Sequence, residues 1–145
     1  MKGHAYKGLL AASVSAVIAC NAPAGKQEAS ASELCFLNTA GNNHQDSTQV
    51  HLSIKDSVVS GEMIWMPFEK DSRKGKLLGT KNGPLINVLW TFMQEGMQDS
   101  IRLQFKYDGD HLHQKPLMFN ETTSREETNN NSPYTTDLEP VNCIK

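Results

Sequence analysis

From residue 33 onward, apolar and polar residues alternate with a period of two, the pattern of strands with one buried face. Leu34-Cys35-Phe36-Leu37 opens the series. Val50, Leu52 and Ile54 then alternate with His51 and Ser53, Lys55-Asp56-Ser57 supplies a turn, and Val58 to Met66 returns as a strand stopped by Pro67. Leu77 and Leu78 fall in a short strand between Gly75 and Gly79. Ile86, Val88, Trp90 and Phe92 share one face of the clearest strand. In the next, Ile101, Leu103, Phe105 and Tyr107 lie opposite Arg102, Gln104 and Lys106. Asn82-Gly83 and Asp108-Gly109 signal tight hairpins, since the central positions of a type I′ turn need positive φ. After the second hairpin the chain returns over residues 110–114. No stretch after residue 20 has a helical period. Turn signals roughly every 8 to 12 residues predict an all-β fold, an antiparallel meander forming either a small lipocalin-like barrel or a sandwich.

Two stretches stand outside this pattern. Residues 20–32 follow a hydrophobic leader with small and polar residues, which suits a flexible tether. Residues 120–137 are rich in Thr, Asn, Glu and Ser and nearly lack apolar side chains, so they are expected to form a long solvated loop or a disordered excursion. Residues 138–144 would then rejoin the domain.

The N-terminus changes the picture from fold to address. Residues 1–7 carry Lys2 and Lys7 and no acid, and residues 8–18 are unbroken apolar or small residues. About 11 such residues fit the core of a signal peptide and fall short of the ~20 needed to span a bilayer. The run ends in Val17-Ile18-Ala19-Cys20, which resembles the lipobox of bacterial lipoproteins, although Val17 and Ile18 replace the commoner residues there. The resemblance implies cleavage after residue 19 and a lipid bilayer as partner through the acylated sulfur of Cys20. The competing expectation is an ordinary secretory peptide cut after Ala22-Pro23-Ala24, with no lipid. Residues 33–145 would be the single folded domain, which suits a chain of 145 residues. Asn21 is not the Asp that retains some lipoproteins at the inner membrane, which points to the outer membrane.

The chain has three cysteines. An odd number in an exported protein asks for an explanation. Lipid on Cys20 leaves Cys35 and Cys143 either to pair, as an oxidising envelope favours, or to stay as two thiols. Neither has a Cys-x-x-Cys partner or an adjacent His in the sequence, so redox catalysis is not expected. Removing Lys2 and Lys7 leaves 12 basic against 16 acidic residues, a net of −4, with no basic cluster. Nucleic acid is therefore not an expected partner.

From Cys35 to Cys143 the chain resembles a group of small, uncharacterised lipoproteins of Gram-negative bacteria. The likeness is carried by Val59-Ser60-Gly61, by Phe68-Glu69-Lys70-Asp71 followed by Gly75 and Gly79, and by Thr91-Phe92-Met93-Gln94-Glu95-Gly96 followed by Ser100 and Arg102. Residues 108–142 depart from it. The resemblance implies an envelope address and a β-rich fold and is silent on chemistry.

Three constellations could carry chemistry. Glu69, Asp71, Glu95 and Arg102 lie at or near turns and could grip a polar head group at an open barrel end. His111 and His113 share a strand face beside Asp108 and Asp110, a spacing that can present two nitrogens to one metal; His44 and His51 could add ligands. Met63, Met66, Met93, Met97 and Met118 could favour a cuprous ion, although Met63 and Trp65 share a face as core residues do. Asp46-Ser47-Thr48, Asp56-Ser57-Val58 and Asp99-Ser100-Ile101 resemble a bacterial O-glycosylation sequon, and Asp-Ser pairs equally form turns. Nucleophile-elbow, zinc-protease and phosphate-loop motifs are missing. The leading expectation is a non-enzymatic envelope module that needs no cofactor. It would bind a small hydrophobic ligand, around Trp65, Trp90 and Phe105, or an envelope protein. The alternatives are a copper- or zinc-binding protein and, behind it, a hydrolase using Glu69 and Glu95.

Overall fold

The structure is a computed structural model and describes residues 2–4 and 30–144. The apolar run at 8–18, the lipidation of Cys20 and residues 20–29 of the expected tether lie outside the described residues. Ten strands follow one another, and no described residue is helical. They are β1 (Ser32–Ala40), β2 (Asp46–Lys55), β3 (Val58–Met66), β4 (Arg73–Asn82), β5 (Leu85–Gln94), β6 (Met97–Tyr107), β7 (Leu112–Gln114), β8 (Leu117–Asn120), β9 (Arg125–Thr128) and β10 (Thr136–Val141). Eight close into an antiparallel barrel in the order β1-β10-β7-β6-β5-β4-β3-β2, and β8 and β9 form a separate hairpin. The barrel is the first of the two architectures expected from the sequence.

The alternation places the core as anticipated. Phe36, Val50, Leu52, Val59, Leu77, Ile86, Val88, Trp90, Phe92, Ile101, Leu103, Phe105, Leu112 and Leu138 point inward and are buried. All eight barrel strands contribute, so side chains fill the interior. Tight turns join β6 to its neighbours at both of its ends. Glu95 and Gly96 both have positive φ, at 50° and 78°, as a type I′ turn between β5 and β6 demands. Asp108 Oδ1 accepts from the backbone N–H groups of Asp110 (3.0 Å) and His111 (2.8 Å), which fixes the β6–β7 turn.

Three expectations are corrected. The β4–β5 hairpin turns one residue later than Asn82-Gly83 suggests: Asn82 pairs with Leu85, and of Asn82 and Gly83 only the glycine has positive φ. β4 is not a short strand around Leu77 and Leu78 but runs from Arg73 to Asn82, because Gly75 and Gly79 continue it. A Cβ on Gly75 would overlap the Thr91 carbonyl, and one on Gly79 that of Asn87; these inward glycines let the wall curl tightly. Finally, residues 120–137 are not one solvated loop. They hold β9 and the start of β10, and Thr128 is buried, its hydroxyl donating to the Arg102 carbonyl at 2.6 Å. Polar composition hid a hairpin that packs through Leu117, Thr128 and ion pairs.

Candidate functional site

The two barrel ends differ in what connects their strands. Two-residue turns at 56–57 and 83–84 and the 108–111 turn lie at the end where β1 begins. The opposite end carries the 41–45 and 67–72 loops, the Glu95-Gly96 turn and the β8–β9 hairpin. There a pocket of about 560 Å³ opens into the barrel, with Met63 and Trp90 as its floor and Trp65, Phe68, Arg73 and Gln114 in its walls.

Arg73 organises this mouth. As the first residue of β4 it has the inward parity of Gly75 and Leu77, and its register partner on β3 is Trp65. Its guanidinium sits 5.0 Å above the Trp65 ring and 5.1 Å from that of Phe92. Nε donates to Gln94 Oε1 at 2.7 Å and Nη1 donates to the Glu126 carboxylate on β9. Its side chain is only 16% exposed, so the charge is desolvated and braced by aromatic faces. Those two hydrogen bonds use two of the five guanidinium N–H groups. Beneath it, Trp90 is 1% exposed, and its Nε1–H is the one buried polar side-chain atom without a partner among the described residues. Gln114, 7% exposed, adds a buried amide.

The four residues expected to grip a ligand separate. Asp71 and Glu95 meet at the rim, where a hydrogen bond with Asp71 and its neighbouring charge raise the Glu95 pKa. Glu69 lies exposed in the 67–72 loop with φ 55°, and Arg102 points out from β6 between buried Ile101 and Leu103. The mouth residues that sequence reasoning passed over are Arg73, Gln114 and Glu126. The first was legible in principle, two positions before Gly75 and four before Leu77 on one face. The glycines obscured that parity. Glu126 had no signal, because its place depends on where the β8–β9 hairpin docks.

Comparison with protein-family models, with curated proteins and with solved structures found no match.

The histidines sit elsewhere. His111 and His113 stack with ring centroids 6.1 Å apart on the outer face of the β7–β10 seam. His111 Nδ1 lies 2.9 Å from Asp137 Oδ1, His113 Nδ1 3.3 Å from the same oxygen, and His113 Nε2 3.0 Å from Asp108 Oδ2. The hydrogen bond with Asp137, more than burial opposes, raises the His111 pKa. Bonds from His113 and from the backbone N–H groups of Asp110 and His111 hold Asp108 far below the ordinary carboxylate range. The imidazoles are thus engaged by carboxylates. Of the methionines, Met63 is buried in the core, whereas Met66, Met93, Met97 and Met118 are exposed.

Cys35 and Cys143 are joined in a disulfide with Cα atoms 5.3 Å apart, in the usual range. His51, absent from the neighbourhood of either cysteine in the sequence, faces Cys35 in the β1–β2 register. Its Nε2 is 2.6 Å from Glu33 Oε2, and Ser53 Oγ donates to Glu33 Oε1 at 2.6 Å. These two bonds, Ser53 first, lower the Glu33 pKa. Two of the Asp-Ser pairs have local structural work. Asp46 accepts from the Phe68 N–H at 2.6 Å, and Asp99 accepts from the Ser100 N–H at 2.7 Å.

Proposed function

We propose that this chain is a non-enzymatic binding module of the cell envelope, lipid-anchored through Cys20, that takes a small ligand at the barrel mouth. The ligand would carry an acceptor group, a carboxylate or carbonyl, on an apolar body. The single observation that carries this reading is the pocket at the loop-bearing end, floored by a buried indole with an unpartnered N–H and walled by a desolvated arginine. A buried donor left unpaired costs about 1–3 kcal/mol, and a ligand acceptor would recover it. The pocket volume suits a small molecule. An incoming carboxylate would exchange with Glu126 on Arg73, so occupancy and the position of the β8–β9 hairpin would be linked. β1 begins at the end opposite the mouth, twelve residues after Cys20.

The test is native mass spectrometry of the processed protein extracted from membranes. A small copurifying mass is expected with the wild-type chain and is lost in Arg73→Gln and Trp65→Ala, while Arg102→Gln on the outer face retains it. Retention of that mass by Arg73→Gln and Trp65→Ala, or no bound mass in any form, would remove the mouth as the site. Cys20→Ser should shift the protein from the membrane fraction to the soluble one; continued membrane attachment would overturn the anchor.

A further inference from the structure

Around the disulfide, β1, β2 and the segment after β10 bring three metal-ligating residues to one outward spot. Cys35 points out of β1 between the inward Leu34 and Phe36. His51 is its register partner on β2, and Val141, its partner on β10, lies two residues before Cys143. One ligand atom from each of Cys35, His51 and Cys143 lies within 4.8 Å of the other two, the only such group of three among the described residues. Tetrahedral zinc holds sulfur and nitrogen at about 2.0–2.3 Å, so its ligand atoms stand roughly 3.5 Å from one another, within reach of this arrangement once the sulfurs part. The His51 side chain is half-exposed, so a cation can reach it from solvent.

We propose that the dithiol form of this chain holds one soft divalent cation of the zinc class on Cys35, Cys143 and His51, with Glu33 beside them. Two thiolates and an imidazole select zinc-like ions over calcium or magnesium, which prefer oxygen. Glu33, itself held by Ser53, orients the imidazole if the metal takes Nδ1 and stands as a neighbouring oxygen ligand if it takes Nε2. The step is a two-electron exchange followed by coordination. An external dithiol breaks the Cys35–Cys143 bond, supplies two electrons and two protons, and becomes a disulfide. The cation then displaces both thiol protons to solvent and accepts lone pairs from two sulfurs and one nitrogen. The same seam between β10, β1 and β2 is thereby closed by a covalent bond or by a metal, according to redox state.

The experiment uses the full chain carrying Cys20→Ser, so that two thiols remain, reduced with a phosphine under anaerobic conditions and titrated with Co²⁺. A thiolate-to-cobalt charge-transfer band and intense tetrahedral d–d bands should saturate at one equivalent, and the oxidised protein should give neither. His51→Gln, its fold checked by circular dichroism as the disulfide form, should weaken binding by more than tenfold and lose the tetrahedral intensity; Glu33→Gln should weaken it about tenfold. No charge-transfer band in the reduced protein would overturn the proposal, and so would a His51→Gln titration identical to that of the parent.

Discussion

The barrel has a strong wall and a thin one. The ladders β1–β2, β2–β3, β3–β4, β4–β5 and β5–β6 run for eight to ten residues each, whereas β6–β7, β7–β10 and β10–β1 run for three. On the strong wall, backbone hydrogen bonds and inward apolar residues suffice to join neighbours. On the thin wall side chains take over. The Cys35–Cys143 bond ties β1 to the residues after β10, Asn38 Nδ2 donates to the Asp137 carbonyl at 2.8 Å, and Asp137 meets His111 and His113 across β7–β10. A closed barrel does not need uniform pairing. It needs its weakest seam to be stitched, and local opening is expected to begin there.

The largest effect should come from removing the stitch. Joining residues 108 apart in sequence restricts the unfolded chain by up to about 4.7 kcal/mol in the loop-entropy account. Cys35→Ser with Cys143→Ser should therefore lose about 4 kcal/mol in urea unfolding. Amide exchange should accelerate first in β10 and β1 and last in β4 and β5. Equal acceleration in all strands would show that the two walls open as one.

On the strong wall the sensitive points are different. Gly75→Ala forces a methyl against the Thr91 carbonyl on the neighbouring strand, and overpacking of this kind costs about 1–3 kcal/mol. Here protection should fall together across β2 to β6, because their long ladders cannot open in part. Lys76→Ala, on the outer face next to it, should change stability by less than about 0.5 kcal/mol. If Gly75→Ala were equally mild, the tight curl of β4 would not depend on glycine.

The strong wall was also the legible one. Val50, Leu52, Ile86, Val88, Trp90, Phe92, Ile101, Leu103 and Phe105 sit in long, regular alternations, and a two-residue period leaves no doubt about which face is buried. Legibility failed where glycine replaced a side chain, which cut β4 short and hid the inward parity of Arg73. β7 and β10 of the thin wall fall in or beside the returns expected at 110–114 and 138–144, but legibility failed again at β8 and β9, four residues each and docked by polar pairs. Such pairs come from tertiary docking, which no local pattern encodes. The disulfide could be inferred by counting cysteines, but His51 could not be placed beside it, because that position depends on the β1–β2 register set by the 41–45 loop.

A smaller effect is expected where the β8–β9 hairpin meets the barrel. It is held by two ion pairs of different burial: Arg73–Glu126, with side chains 16% and 39% exposed, and Arg125–Asp99, with both about half exposed. Surface pairs contribute at most about 1 kcal/mol, and the drier pair should stand at the upper end. A double-mutant cycle on Arg73 and Glu126 should give about 1 kcal/mol of coupling, and one on Arg125 and Asp99 less than about 0.5 kcal/mol. Reversal of that order would mean that the mouth arginine is held by its aromatic neighbours rather than by the hairpin.

The smallest effect is a pH dependence confined to the thin wall. The folded His111 pKa lies above its ordinary value of 6.5, so folding favours the protonated ring. Its contribution is fully present below about pH 6.5 and is lost as pH rises through the higher folded value. Asp108 works in the opposite direction: its pKa is depressed, so its contribution is present above the ordinary carboxylate value and disappears only as pH falls through the folded one. Between the two carboxylate values and the imidazole, both contributions coexist, and the β7–β10 seam should be tightest in mildly acidic solution. Amide exchange at Leu112, His113 and Gln114 should therefore speed up, relative to strands β4 and β5, as pH is raised past neutrality, after correction for the intrinsic base-catalysed rate. Asp137→Asn removes the group that raises the His111 pKa and should flatten that relative slope. An unchanged slope in Asp137→Asn would mean that the imidazole pair decorates the seam without holding it.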